Sequence, residues 1–232
     1  MTIFRTALAL RILAAASALV SASAYADYPL LADDAEVLEE GRCEAQWGVA
    51  PTRALEMPTA TSQDAAVECG IGRNTQLSVQ YLSSLQAGDQ FESFAIKGKT
   101  SFTEADKGSI RWGLAYGINL SKEPGDVWKT VGYNASLLAS RDFGRNFAAH
   151  ANLGSTYDVE SRQSATTWAL GIETKTNVVL GLSVQGDDQN RPSWAIGARY
   201  KFTSRFSGNL TYVRSTDESQ PQSLRLGGKY EF

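Results

Sequence analysis

The sequence contains no apolar run long enough to cross a membrane as a helix, which takes ~20 residues. The longest, Ile12 to Val20, falls well short. There is one histidine, His150, and there are two cysteines, Cys43 and Cys69, too few to build a clustered metal centre. A GxSxG elbow, an HExxH pair and a phosphate-binding glycine loop are also missing, so no catalytic residue, metal or cofactor is expected. Basic runs are absent: 22 Lys and Arg stand against 25 Asp and Glu, for a net charge of -3. That balance excludes nucleic acid as a partner. Six prolines against 20 glycines, a hydrophobic content of 43% and a mean hydropathy of -0.25 fit an all-β chain, either soluble or in a membrane. Strict alternation hides the apolar residues of a membrane barrel from any average.

What is present begins with an export address. Arg5 and Arg11 precede the short apolar run, and Ala24-Tyr25-Ala26 has the small-x-small pattern of a cleavage site. Residues 1–26 therefore read as a secretory signal peptide, with a mature chain starting at Asp27. Residues 27–41 carry Asp33, Asp34, Glu36, Glu39 and Glu40 without periodicity and without the ligand spacing of a calcium hand. They read as a solvated periplasmic lead-in.

Residues 42–232 form a series of alternating segments with polar breaks: 42–49, 65–71, 76–85, 91–102, 109–120, 127–140, 146–157, 164–175, 177–186, 192–202, 205–215 and 222–232. Their lengths suit strands that cross a bilayer at a tilt. Ile110, Trp112, Leu114, Tyr116 and Ile118 share one face of the fifth segment, and Arg111, Gly113, Ala115 and Gly117 share the other. Trp194, Ile196, Ala198, Tyr200 and Phe202 oppose Ala195, Gly197, Arg199 and Lys201 in the tenth. The same alternation would serve a soluble core, so the aromatic residues decide. Phe102, Phe147, Phe202, Phe206, Tyr230 and Phe232 gather at one end of the segments, and Phe94, Tyr157, Trp168, Trp194 and Tyr212 at the other. Two such girdles match the headgroup depths of a membrane. The expected fold is all-β: a transmembrane antiparallel β-barrel of about 12 strands, its N- and C-termini periplasmic, embedded in an outer-membrane lipid bilayer.

The last strand, Leu224 to Phe232, ends on Phe232 with Tyr230 two residues before it, and resembles the C-terminal assembly signal of bacterial outer-membrane proteins. The resemblance implies that Tyr230 and Phe232 are read by the outer-membrane assembly machinery. Pro29-Leu30, Asp33-Asp34-Ala35 and Gly41 are similar to the opening of the outer-membrane barrels grouped with the MetA pathway of phenol degradation. That resemblance implies passage of aromatic or other small hydrophobic compounds.

Inward parity falls on Lys97, Lys99, Arg111, His150, Glu173, Lys175, Arg199, Lys201, Arg225 and Lys229, the expected lumen lining. They serve either as a salt-bridge network or as a filter favouring anionic solutes. Cys43 and Cys69 lie near the same end of neighbouring strands, and are either a structural disulfide or two free thiols. A lipid hydrolase would need a serine beside His150, but the residue two positions on is Asn152, and His150 has the inward parity. The expected function is a porin-like channel for passive passage of small-molecule solutes, with a closed structural barrel as the alternative and a lipid hydrolase behind it.

Overall fold

A computed structural model describes residues 29–53, 59–103, 109–217 and 222–232. The signal-peptide reading of residues 1–26 lies outside the described residues. Twelve strands follow one another: β1 Cys43–Arg53, β2 Ala60–Gly72, β3 Thr75–Gln86, β4 Asp89–Ser101, β5 Ile110–Lys122, β6 Lys129–Phe143, β7 Phe147–Asp158, β8 Gln163–Thr174, β9 Val178–Asp187, β10 Ser193–Lys201, β11 Phe206–Ser215 and β12 Gln222–Glu231. Each pairs antiparallel with its sequence neighbours, and β1 pairs with β12, so the sheet closes. At the seam, Cys43 N donates to Phe232 O at 3.0 Å and Phe232 N to Cys43 O at 2.8 Å. Closure leaves no strand edge, which a barrel facing hydrocarbon requires because no water is there to satisfy one.

The strands form where the alternation predicts, with one difference. β1 and β2 extend through Arg53 and back to Ala60, into a stretch expected to be a long connection. Pro51 suggests a break there, but the ladder to β12 is interrupted at Ala50 and Pro51, where proline has no N–H to give, and pairing to β2 continues. Two hairpins turn on residues with positive φ at both central positions, Arg73-Asn74 and Ala87-Gly88, as tight two-residue turns require.

The outer face is apolar. Trp47, Ile96, Trp112, Leu153, Leu170, Ile196 and Leu226 are all exposed, and Leu226 retains 66% of its surface. A continuous belt of this kind is unfavourable in water and suits hydrocarbon. Phe102, Phe143, Phe147, Phe202, Tyr230 and Phe232 stand exposed around the end that carries both ends of the barrel chain.

The inside departs from the expectation. Residues 29–38 are not a solvated lead-in: Pro29, Leu30, Leu31, Ala32, Asp33 and Ala35 are buried, and Ala35 packs with Ala115 of β5 and Leu138 of β6 at 0–1% exposure. The segment bonds to inward side chains of β9, β7, β6, β4 and β3, which only a path through the lumen can reach. The reason is volume. A twelve-strand wall encloses more space than an eight-strand one, and its inner face is floored by Gly113, Ala115, Ala148, Ala169, Gly171, Gly181, Ala195 and Gly197. Such small side chains cannot fill the barrel, so a strap of chain does.

Candidate solute path and its N-terminal strap

The strap is rooted at the mouth and crosses the lumen from one wall to the other. At its root Glu40 bridges Gly70, Gly41 N donates to Gly70 O at 3.0 Å and Gly70 N to Arg42 O at 2.9 Å. A Cβ on Gly70 would lie 2.2 Å from Glu39 O, so only glycine admits this contact. Cys43 and Cys69 are joined in a disulfide directly beside the root.

Inside the lumen the strap's backbone has no strand to pair with, and polar wall side chains take its N–H groups instead. Leu31 N donates to Ser183 Oγ at 2.9 Å, Asp33 N to Asn152 Oδ1 at 2.8 Å, Ala35 N to Ser140 Oγ at 2.8 Å and Leu38 N to Gln76 Oε1 at 2.9 Å. Asn152 Nδ2 returns a bond to Asp33 O at 2.8 Å.

Its charges are answered as well. Lys99 Nζ lies 3.1 Å from Asp33 and 3.0 Å from Asp34, and Arg111 bonds Glu36 at 2.9 Å and Asp142 at 3.1 Å. Burying these ions without partners would cost several kcal/mol each, so charge matching decides where the acidic stretch can rest. The apolar half rests elsewhere. Leu30 fits above Gly171 and Gly181 and Pro29 above Gly181 and Gly197, with so little room that a Cβ on Gly181 would lie 2.7 Å from Leu30 Cδ2.

The other residues with inward parity are placed as follows. Lys97 is buried and bonds Gln80. Arg225 is buried between Asp64, at 2.6 Å, and Asn209, at 2.9 Å. Lys229 pairs with Glu44 at 2.8 Å. Arg199 is half-buried on β10 and Lys201 is exposed at its end. Lys175 lies in the turn after β8 and reaches Asp142 at 2.9 Å. The cationic excess read from parity is thus largely answered by Asp64, Asp142 and the strap's own carboxylates. Beyond the strap, toward the end away from the termini, a small recess is lined by Gln80, Leu82, Ser93, Ala95, Lys97 and Asn119.

His150 does have a serine partner. It is Ser140 of the neighbouring strand, whose Oγ lies 2.9 Å from Nδ1, while Nε2 lies 3.7 Å from Glu173. Sequence spacing along one strand could not find it, since the pair forms across the β6–β7 ladder. Ser140 Oγ accepts the Ala35 N–H and also shares a hydrogen bond with Nδ1, whose direction follows the imidazole tautomer. Serine, histidine and carboxylate are assembled, but Ser140 is 1% exposed, faces the lumen and is capped by the strap. The trio braces Ala35 and is turned away from the lipid.

The chain matches, over residues 9–229, the family described as uncharacterised conserved protein UCP029691. The chain belongs to this family. No match is found among curated proteins. Among solved structures this member of the family is similar to the KdgM porin in complex with disordered oligogalacturonate, at 8% identity over 82% of this chain and 99% of that one, with a TM-score of 0.62. It is also similar to the COG4313 outer membrane channel from Pseudomonas putida F1, at 12% identity over 86% and 98%, TM-score 0.57. The outer membrane phospholipase A from Escherichia coli follows at 9% identity over 86% and 93%, TM-score 0.53. These likenesses establish the outer-membrane type of barrel fold. Since channels and a lipase share it, function rests on the site.

Proposed function

We propose that the protein is an outer-membrane channel for passive passage of small solutes, aromatic or otherwise hydrophobic, with the N-terminal strap as its constriction. One observation carries the reading: the lumen is filled by a segment of chain that belongs to no strand, and not by the wall's own side chains. A purely structural barrel of this width needs no such arrangement, because larger inward residues would fill it. The apolar cradle under Pro29 and Leu30 supports passage of apolar groups. Export through the signal at 1–26, periplasmic termini and recognition of Tyr230 and Phe232 by the assembly machinery complete the proposal.

Planar-bilayer recording tests it. Purified protein is expected to give discrete conductance steps that lengthen when the strap is weakened by the triple substitution D33N/D34N/E36Q. Silent bilayers with both folded proteins would overturn the channel in favour of the closed barrel, the second reading, which the strap's close fit favours. Deleting Phe232, whose backbone closes the seam with Cys43, should leave the protein in the periplasm; undiminished, heat-modifiable membrane protein would contradict the assembly role.

A further inference from the structure

The strap is a ligand already bound, and its chemistry describes what the lumen accepts. Its first half is apolar: Pro29, Leu30, Leu31 and Ala32 are buried, and the wall meets them with Gly171, Gly181 and Gly197. Its second half is acidic: Asp33 and Asp34 hold Lys99, and Glu36 holds Arg111. The two halves dock on different arcs of the barrel, the apolar one on β8 to β10 and the acidic one on β4 and β5. Wall and strap are therefore complementary in polarity along the whole crossing.

The strap shares the cations of the lumen with the wall. Lys99 bonds Asp33 and Asp34 of the strap, Arg111 divides its bonds between Glu36 of the strap and Asp142 of the wall, and Arg225 and Lys229 bond Asp64 and Glu44 of the wall. Asp34 and Glu36 keep part of their surface, with side chains 27% and 53% exposed, while Lys99 and Arg111 beneath them are 9% exposed, so an incoming acid takes these cations only as the strap gives them up.

From this complementarity we infer that the lumen is a binding site for carboxylate-bearing amphiphiles: an acid group takes the Lys99 and Arg111 position held by Asp33, Asp34 and Glu36, and an apolar body takes the cradle held by Leu30. This deepens the channel reading and rests on it. Between Leu30 and Glu36 an extended chain spans up to roughly 20 Å, and between Leu30 and Asp33 roughly 10 Å, which brackets the length of a fitting solute. Lys99 and Arg111 select the acid by charge and hydrogen bonding, and the glycine floor selects only for bulk that leaves room. The resting strap lowers the apparent affinity in proportion to its occupancy.

The test titrates full-length protein in non-ionic detergent with 6-phenylhexanoate and with its neutral amide. In D33N/D34N/E36Q the acid should bind about tenfold more tightly or better than in wild type, because the competing carboxylates are gone. Adding K99Q and R111Q to that protein should remove the acid's advantage over the amide, which gains only from the vacated cradle and should be insensitive to K99Q and R111Q. The milder D34N/E36Q alters only the part-exposed carboxylates and should show the same direction if the triple variant folds poorly. Equal binding of acid and amide, or no gain in either strap variant, overturns the inference. Bilayer recording separates the two readings: conductance without acid preference leaves the channel standing and overturns the amphiphile site, and acid-selective binding in a silent barrel does the reverse.

Discussion

The strap and the wall are made of the same chain and held by different means. Every wall strand is tied to two neighbours by a backbone ladder, and the first and last strands tie to each other. The strap is tied by side chains: Ser183, Asn152, Ser140 and Gln76 for its N–H groups, Lys99 and Arg111 for its charges. A ladder fails only as a cooperative unit, whereas a set of separate side-chain contacts can be weakened one at a time. Substitutions at the strap's contacts should therefore loosen the strap without unfolding the barrel.

The largest expected effect comes from filling the cradle. Gly181→Leu puts a side chain where Leu30 lies and should expel the strap, so hydrogen exchange at Leu31, Asp33, Ala35 and Leu38 should lose most of its protection while the wall amides keep theirs. Retained protection in the variant would mean that the strap and wall are one unit. Next is Lys99→Gln, which leaves Asp33 buried without its cation; losing one partner of such a pair should weaken the strap by about 3 kcal/mol. Exchange at the Asp33 amide reports it, and an unchanged rate would show that the ion pair contributes nothing. Ser140→Ala removes the acceptor for the Ala35 N–H and should cost about 1 kcal/mol, read as faster exchange confined to that part of the strap. The smallest effect is expected for His150→Ala, which supports Ser140 only from behind. Neither wild type nor this variant should hydrolyse phospholipid, and hydrolysis by wild type that disappears in the variant would make the trio a lipase after all.

The same contrast explains what could be read from the chain beforehand. Wall strands announce themselves because each residue's side is fixed by a period of two, so Ile110 to Ile118 or Trp194 to Phe202 declare both the strand and its lipid face. β1 runs past its expected end because the missing N–H of Pro51 falls at an interruption of one ladder. The strap has no period. Its acidic residues look like those of any solvated tail until the cations of β4 and β5 are placed opposite them. One signal was available: an inner face of glycine and alanine at 113, 115, 169, 171, 181, 195 and 197 is too shallow to fill a twelve-strand barrel. Something else had to occupy it, and 27–41 was a stretch not committed to a strand. Ser140 beside His150 and Asp64 beside Arg225 were out of reach, because both depend on which rungs of different strands come level.

The root of the strap, fixed by Gly70 and the neighbouring disulfide, turns its departure into a tethered event. A freed strap does not diffuse away. It remains at the mouth as if dissolved at millimolar strength, the concentration that short flexible tethers impose on what they carry. A solute making contacts of equal quality holds the lumen only when its own concentration approaches that figure, and a scarcer solute must bind correspondingly better. If the lumen binds solutes as proposed, the ten or so residues between root and cradle set a concentration threshold for them.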